Sequence, residues 1–413
     1  MKVHLFAMKT WGELGNLLAA KTLAACLAES DDPNLEIEVF ETERFMPRFA
    51  HYGERIAAII KDRSLDVPTR IACYHALMEE IGDVFYPGFE TDEPIRGPVA
   101  DELGPLAEHL SSHRPDLVLG TKGVIARVLH AATQRSSADP VVANFVTNEG
   151  LLTLPIHRST TIRHHFVPFE SGRRLLLERY GYGPDLVRAV GRLIAHAHVS
   201  SVTPQATDSV LPAAAPAAAQ TEHRIIVFSN RGGSPYLDLL RTIGESGTRP
   251  SVLFIGYNDP DLVAGARALQ AELDADNWHV VERLGQGDYI KSIRWLSHGR
   301  YPLLLSKTGP NTMLEATYFG IPQLLLGSGL PAEEWVGPFV EEHGFGLSFR
   351  TMDALCETLA AWLADPEEIA RRRAVAERFS RDLMNQQTVG DTIRSSILSL
   401  ARTNELVATE QPA

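Results

Sequence analysis

The residues best suited to chemistry lie in SKTGPNTMLEATYFGIPQLLLG, residues 306–327, where an apolar strand ends in a Gly/Pro turn and a helix begins. The start of a helix presents N–H groups without intrahelical partners and a partial positive charge, so a phosphate is favoured there. Lys307 and Gly309 flank the turn, and Asn311 and Thr312 are placed either to cap the helix or to touch a diphosphate. Glu315, one turn further on, either accepts hydrogen bonds from the vicinal hydroxyls of a ribose or serves the N-terminal dipole. A second glycine turn, SNRGGS at 229–234, also follows an apolar strand and precedes a helix. Ser229 opens it, Gly232 and Gly233 allow close approach of the backbone to a phosphate, and Arg231 brings a cation that can neutralise a departing diphosphate. No Asp-x-Asp pair is suited to holding Mg²⁺ near a diphosphate, so metal-free chemistry is expected. In the first half, Glu13 and Asn16 in GELGN and Glu149 in NEG are the polar residues in turns that follow strands. A glutamate serves as a general base once burial raises its pKa toward neutrality, whereas the amide of Asn16 cannot usefully accept a proton. Glu13 reads equally well as a helix-entry residue.

Strands and helices must alternate to bring these turns to one edge. Residues 3–7 read as a strand, 16–28 as a helix and 36–40 as a second strand; a helix over 99–112, strands at 117–119 and 141–146 and a helix over 124–133 follow. The segment 203–222, TPQATDSVLPAAAPAAAQTE, is rich in Ala and Pro and reads as a linker. The alternation then restarts, with strands at 224–228, 251–255, 278–282, 303–306 and 323–326 and helices over 236–244, 262–274 and 311–319. This predicts an α/β chain of two Rossmann-like, doubly wound parallel-sheet domains. The expected division is an acceptor-binding domain over 1–202, a linker over 203–222, a nucleotide-binding domain over 223–364, and helices over 365–413 that pack across both and end in a flexible tail.

Composition narrows the classes further. The 413 residues carry a formal net charge of −13 and three cysteines, Cys26, Cys73 and Cys356, that make no metal-ligand spacing. Such an acidic balance argues against a nucleic-acid partner. No apolar run approaches the ~20 residues that span a bilayer. With no signal-peptide pattern and isolated thiols, a cytoplasmic location is expected. One basic segment, from His157 to Arg179, reads as a solvated helix face with its loops or as a docking surface for anionic lipid.

Residues 307–326, KTGPNTMLEATYFGIPQLLL, resemble the donor-binding motif of the family of monogalactosyldiacylglycerol synthases, processive diacylglycerol glucosyltransferases and the peptidoglycan N-acetylglucosaminyltransferase. PDLVLGTKGV at 115–124, the stretch 146–194 and EEWVGPFVEEHGFGLSF at 333–349 are similar to the family in the same order. The resemblance implies a GT-B fold, two Rossmann-like domains facing across a cleft, and transfer of a sugar from a nucleotide diphosphate. It puts Gly309, Asn311 and Thr312 at the diphosphate, Glu315 at the ribose, Leu284 beside the base, and Glu333 and Glu334 at the donor sugar. Ala332 and Val336 depart from the family's Gln and Asn, and Asn16 stands in place of its histidine.

The expected activity is therefore metal-independent glycosyl transfer from a UDP-sugar, with no cofactor beyond that co-substrate, to a small soluble acceptor such as a nucleoside, an aminocyclitol or another natural-product aglycone. The acceptor-side base would be Glu13 or Glu149, unless the acceptor atom is already nucleophilic. Rival readings are a membrane glycolipid glycosyltransferase, with membrane association possible but not favoured, a UDP-sugar epimerase, and a non-catalytic binder. The sequence leaves the sugar, the base and the oligomeric state open.

Overall fold

A computed structural model describes the chain apart from residues 10–13, 63–64, 66, 86–94, 96, 154–157, 159–160, 195–221, 230–234, 258 and 410–413. The chain divides into two compact units. One comprises Met1–Val199, Gly329–Ala332 and Gln386–Ala413; the other comprises Ser200–Ser328 and Glu333–Asn385.

Each unit is built on a six-stranded sheet in which every pairing is parallel. In the first, β1 (Lys2–Ala7), β2 (Glu36–Glu41), β3 (Leu117–Gly120), β4 (Val141–Phe145), β5 (His165–Val167) and β6 (Val187–Ala189) lie in the order β2-β1-β3-β4-β5-β6. In the second, β7 (His223–Phe228), β8 (Ser251–Ile255), β9 (Trp278–Val281), β10 (Tyr301–Lys307), β11 (Gln323–Leu326) and β12 (Gly346–Phe349) lie in the order β12-β11-β10-β7-β8-β9. Both orders are doubly wound. The chain reverses its direction of travel between β1 and β3 in the first sheet and between β7 and β10 in the second, and ligands of open parallel sheets bind beside such reversals, at the carboxyl ends of the strands.

Sheets covered on both faces need near-continuous apolar strands, which is why Val3, Leu5, Phe6 and Ala7 of β1 and Leu303, Leu304 and Leu305 of β10 are all buried. In the second unit, helices Pro235–Glu245, Pro260–Glu272 and Met352–Ala364 pack on one face through Leu239, Ala266 and Leu359. Helices Gln286–Ser297 and Pro310–Tyr318 cover the other through Ile293, Leu296 and Ala316. Helix Pro366–Leu383 belongs to this unit and holds the ends of the two helices before β10 and β11: its Arg373 donates to the Gly299 carbonyl at 2.6 Å and its Ser380 to the Tyr318 carbonyl at 2.7 Å. Helix Gln386–Thr409 belongs to the first unit, where Val389, Ile393 and Ile397 pack with Leu23, Cys26 and Leu27 of helix Leu14–Ala28.

The single helix expected over 99–112 is two, Pro98–Asp101 and Leu103–His113. The break falls at Glu102, whose carboxylate accepts from the backbone N–H groups of Arg48 (2.7 Å) and Phe49 (3.0 Å) at the start of helix Pro47–Lys61. That helix, together with Val67–Phe85, Gln286–Ser297, Val336–Glu342 and Met352–Ala364 and the strands β5, β6 and β12, adds to what the sequence led one to expect. The linker expected over 203–222 lies, up to residue 221, outside the described residues.

Candidate functional site

The reversal between β7 and β10 brings Ser229 and the Gly309 turn of the second unit to one edge. β7 ends at Phe228 and leads into Ser229; β10 ends at Lys307 and leads through Thr308 and Gly309 into helix Pro310–Tyr318. Five parallel register pairs, from Tyr301 with His223 to Leu305 with Val227, hold the two strands side by side. Arg231, Gly232 and Gly233 lie outside the described residues.

Ser229 is fully buried. Its N–H donates to the Ile255 carbonyl at 3.1 Å, and its hydroxyl has no hydrogen-bond partner among the described residues. A buried hydroxyl left unpaired at this edge is a place for a ligand oxygen. Opposite it on β10, the helix starts with Gly309 as its cap and Pro310 at the first position, and no side-chain oxygen caps it. Among the described residues, a β-carbon added to Gly309 would meet nothing nearer than the Lys307 Cε at 3.8 Å, so the glycine relieves no clash with them. Thr308, buried, fixes the turn by accepting from the Ser328 N–H at 3.1 Å.

The same edge gathers further expected residues. The Lys307 ammonium donates to both oxygens of Glu333, at 2.6 and 2.9 Å. Glu334 is exposed. Val336 is fully buried, so the side chain standing where the family has an amide belongs to the core. Leu284 packs against the cluster that contains Ala316, and Gly285 caps helix Gln286–Ser297. Burial and the Glu315 carboxylate push the Tyr289 phenol well above its usual range. Sequence reasoning had passed over Tyr289; its signal was a lone aromatic in the first turn of the helix that follows the Leu284–Gly285 loop.

In the first unit, Asn16 is buried, and its side-chain oxygen accepts from the Thr147 hydroxyl at 3.1 Å. The same hydroxyl lies 3.2 Å from the Thr121 carbonyl, and the Thr147 carbonyl accepts from Arg192. These bonds join the carboxyl ends of β3 and β4 to the helix that follows β1. Lys122, also buried and next in sequence after Thr121, is another residue the sequence reading passed over. Burial pushes its ammonium down to about 7, against the pull of Glu43. A lysine two residues behind the apolar run LVLG was the available sign.

Glu149 stands apart from that group. Its carboxylate accepts from the Ser171 hydroxyl (2.7 Å) and from the N–H groups of Phe169 (3.0 Å) and Gly172 (3.2 Å). Burial pushes it up to about 7, with those three donors pulling the other way. Glu13 lies outside the described residues.

The basic segment after residue 157 is partly internal. Arg158 is buried over the ring of Tyr180, 3.7 Å from its centre, and Arg173 donates to the Val187 carbonyl at 3.1 Å and to Glu170 at 2.9 Å. His165 is buried, with its Nε2 2.9 Å from the Ile162 carbonyl. His157 lies outside the described residues. No helix among the described residues is long and apolar enough to cross a membrane.

Two doubly wound parallel sheets in one chain, flanked by helices, define the GT-B fold, and solved structures of that fold align over nearly the whole chain. The UDP-GlcNAc 2-epimerase of Neisseria meningitidis, solved with UDP-GlcNAc bound, is 12% identical, with a TM-score of 0.58 over 97% of this chain and 100% of that one. The lipopolysaccharide outer core galactosyltransferase WaaB is 14% identical, with a TM-score of 0.53 over 97% and 99%. Acinetobacter baumannii MurG is 13% identical, with a TM-score of 0.51 over 95% and 99%. No protein-family model matches the chain, and no curated protein matches its sequence.

Proposed function

We propose that the chain is a glycosyltransferase that takes its sugar from a UDP-sugar. The observation that carries this reading is the edge between β7 and β10, where the fully buried Ser229 hydroxyl, without a partner among the described residues, and a helix start capped by Gly309 stand together. In this reading the diphosphate sits at Gly309, Asn311 and Thr312 and accepts from Ser229, with Arg231 supplying charge as the leaving group departs. Glu315 accepts from the ribose hydroxyls, and Leu284 borders the base. Glu333, held by Lys307, meets the donor sugar. The nucleotide sugar is the only co-substrate, and transfer needs no metal.

On the acceptor side, Glu149 holds the turn at Phe169–Gly172 through three hydrogen bonds. Glu13 therefore takes the role of base for a hydroxyl acceptor, and a nucleophilic ring nitrogen would need none. A small soluble acceptor such as a nucleoside or an aminocyclitol is preferred over a membrane lipid, because Arg158 and Arg173 are engaged internally and the net charge is −13. The likeness to a UDP-GlcNAc 2-epimerase favours one second reading, sugar epimerisation without an acceptor.

A thermal-shift screen against UDP, dTDP and GDP, followed by incubation with the matching sugar conjugates, tests both readings. A ligand that binds only the native state raises the midpoint with its concentration. Stabilisation by UDP with acceptor-dependent release of UDP supports transfer. Interconversion of the UDP-sugar in the absence of acceptor supports epimerisation, and no shift with any nucleotide contradicts both.

A further inference from the structure

We propose that the Lys307–Glu333 ion pair makes this site select the intact sugar nucleotide over the free nucleoside diphosphate. The inference rests on the donor-site reading above and deepens it. The Lys307 ammonium donates to both carboxylate oxygens of Glu333, at 2.6 and 2.9 Å, and the two side chains are only 29% and 14% exposed. Fixed elements of the second unit carry both partners. Lys307 ends β10 and is paired in register with Leu326 of β11. Glu333 leads into helix Val336–Glu342, whose Val336, Phe339 and Val340 are buried. The lysine also lies beside the helix start: its Cε comes within 3.8 Å of a β-carbon built on Gly309, the cap of helix Pro310–Tyr318.

An ion pair drawn this far out of water makes each charge depend on the other, because removing one leaves its partner uncompensated. A diphosphate at the Gly309 helix start competes with the Glu333 carboxylate for the same ammonium. A free nucleoside diphosphate that draws Lys307 away gives Glu333 nothing in return and brings further negative charge toward it. A sugar nucleotide brings hydroxyl donors together with its phosphates, and a carboxylate that accepts from them has its hydrogen bonds restored. The exchange is therefore complete only with the whole donor, phosphate replacing carboxylate at Lys307 and sugar hydroxyls replacing ammonium at Glu333. Discrimination of this kind comes from what the wrong ligand leaves unpaired. It also loosens the hold on the nucleoside diphosphate once the sugar has left.

Calorimetric titration of the full chain with UDP, UDP-glucose, UDP-galactose and UDP-GlcNAc tests the pair, using the parent, Glu333→Gln, Lys307→Met and the double variant. In Glu333→Gln the preference of the tightest UDP-sugar over UDP should narrow about tenfold, chiefly because UDP binds more tightly, and that gain should vanish in the Lys307→Met background. An equal gain for UDP and UDP-sugar, or a gain that persists without Lys307, would show that the carboxylate only repels phosphate. Unchanged or weaker UDP binding in Glu333→Gln would show that the two do not compete for the lysine. Each of these results overturns the proposal. Should Lys307→Met fail to fold, the ratio measured in the near-isosteric Glu333→Gln decides alone. If the parent binds neither UDP nor any of the UDP-sugars, the donor-site reading itself falls, and this proposal with it.

Discussion

The two glycines at the turns of interest make opposite demands. A β-carbon at Gly172 would lie 2.6 Å from the Glu149 Oε1 and 2.9 Å from its Cδ, so Gly172→Ala has to displace a buried carboxylate from its three donors. Such overpacking costs about 1–3 kcal/mol, and a lowered midpoint in urea or heat is the expected outcome. Gly309→Ala meets no such obstacle. It should lower stability by less than about 1 kcal/mol, the scale of a weakened helix cap, while reducing nucleotide affinity in a direct titration. The histidine cluster sets a pH dependence. His4 and His109 are both pushed down to about 4, mainly by burial, with His109 and His113 acting on His4, and His113 on His109. Below the ordinary histidine value of 6.5 the unfolded chain takes up protons that the folded chain refuses, so stability falls as pH drops from about 6.5 to about 4. Glu149 works the other way, its contribution being complete below 4.5 and lost as pH rises through about 7. Melting His109→Phe across this range should give a flatter acid limb, because Phe6, Phe40 and Phe45 already surround that ring; an acid limb as steep as the parent's would contradict this.

At the scale of elements, the closing helix Gln386–Thr409 is the clearest contributor to the first unit. Ile393 and Ile397 are fully buried against helix Leu14–Ala28 and the sheet, and Arg394 donates to the Cys26 carbonyl at 3.1 Å. Ile393→Ala should cost about 2–5 kcal/mol, read as a lower denaturant midpoint at unchanged slope. Where an element's own residues repeat its period, the sequence announces it: β1, β3, β7, β8, β10 and β11 are apolar runs bounded by turns. β5 and β6 are three residues each, too short for any periodicity, and His165 and Arg188 interrupt them. Helix Pro47–Lys61 carried a sign, with Pro47 at its first turn and Phe49, Ile56 and Ile59 at helical spacing, but Gly53 and His51 dilute it. The division of residues 99–112 into two helices depends on Glu102 reaching back to Arg48 and Phe49, more than fifty residues away in sequence, which no local pattern records.

For the molecule as a whole, strand order does the most to connect sequence with function. The turns at Ser229 and Gly309 are far apart in the chain, and only the placing of β10 beside β7 makes them neighbours. That pairing is what the doubly wound pattern predicts. The end of β10, the turn and the helix start from Lys307 through Glu315 were legible because helix starts and glycine turns have local signatures. Tyr289, Lys122 and the Lys307–Glu333 pair were not, because each acquires its meaning from a side chain that folding brings to it. We propose that the edge between β7 and β10 holds a nucleotide diphosphate through its phosphates and ribose. The most direct test is calorimetric titration of UDP and dTDP into the parent chain and into Glu315→Ala, with melting curves of both. The account predicts saturable binding to the parent, a loss of about tenfold or more in the variant, and matching melting temperatures. Equal affinity in the two proteins, or no binding to the parent, would contradict it.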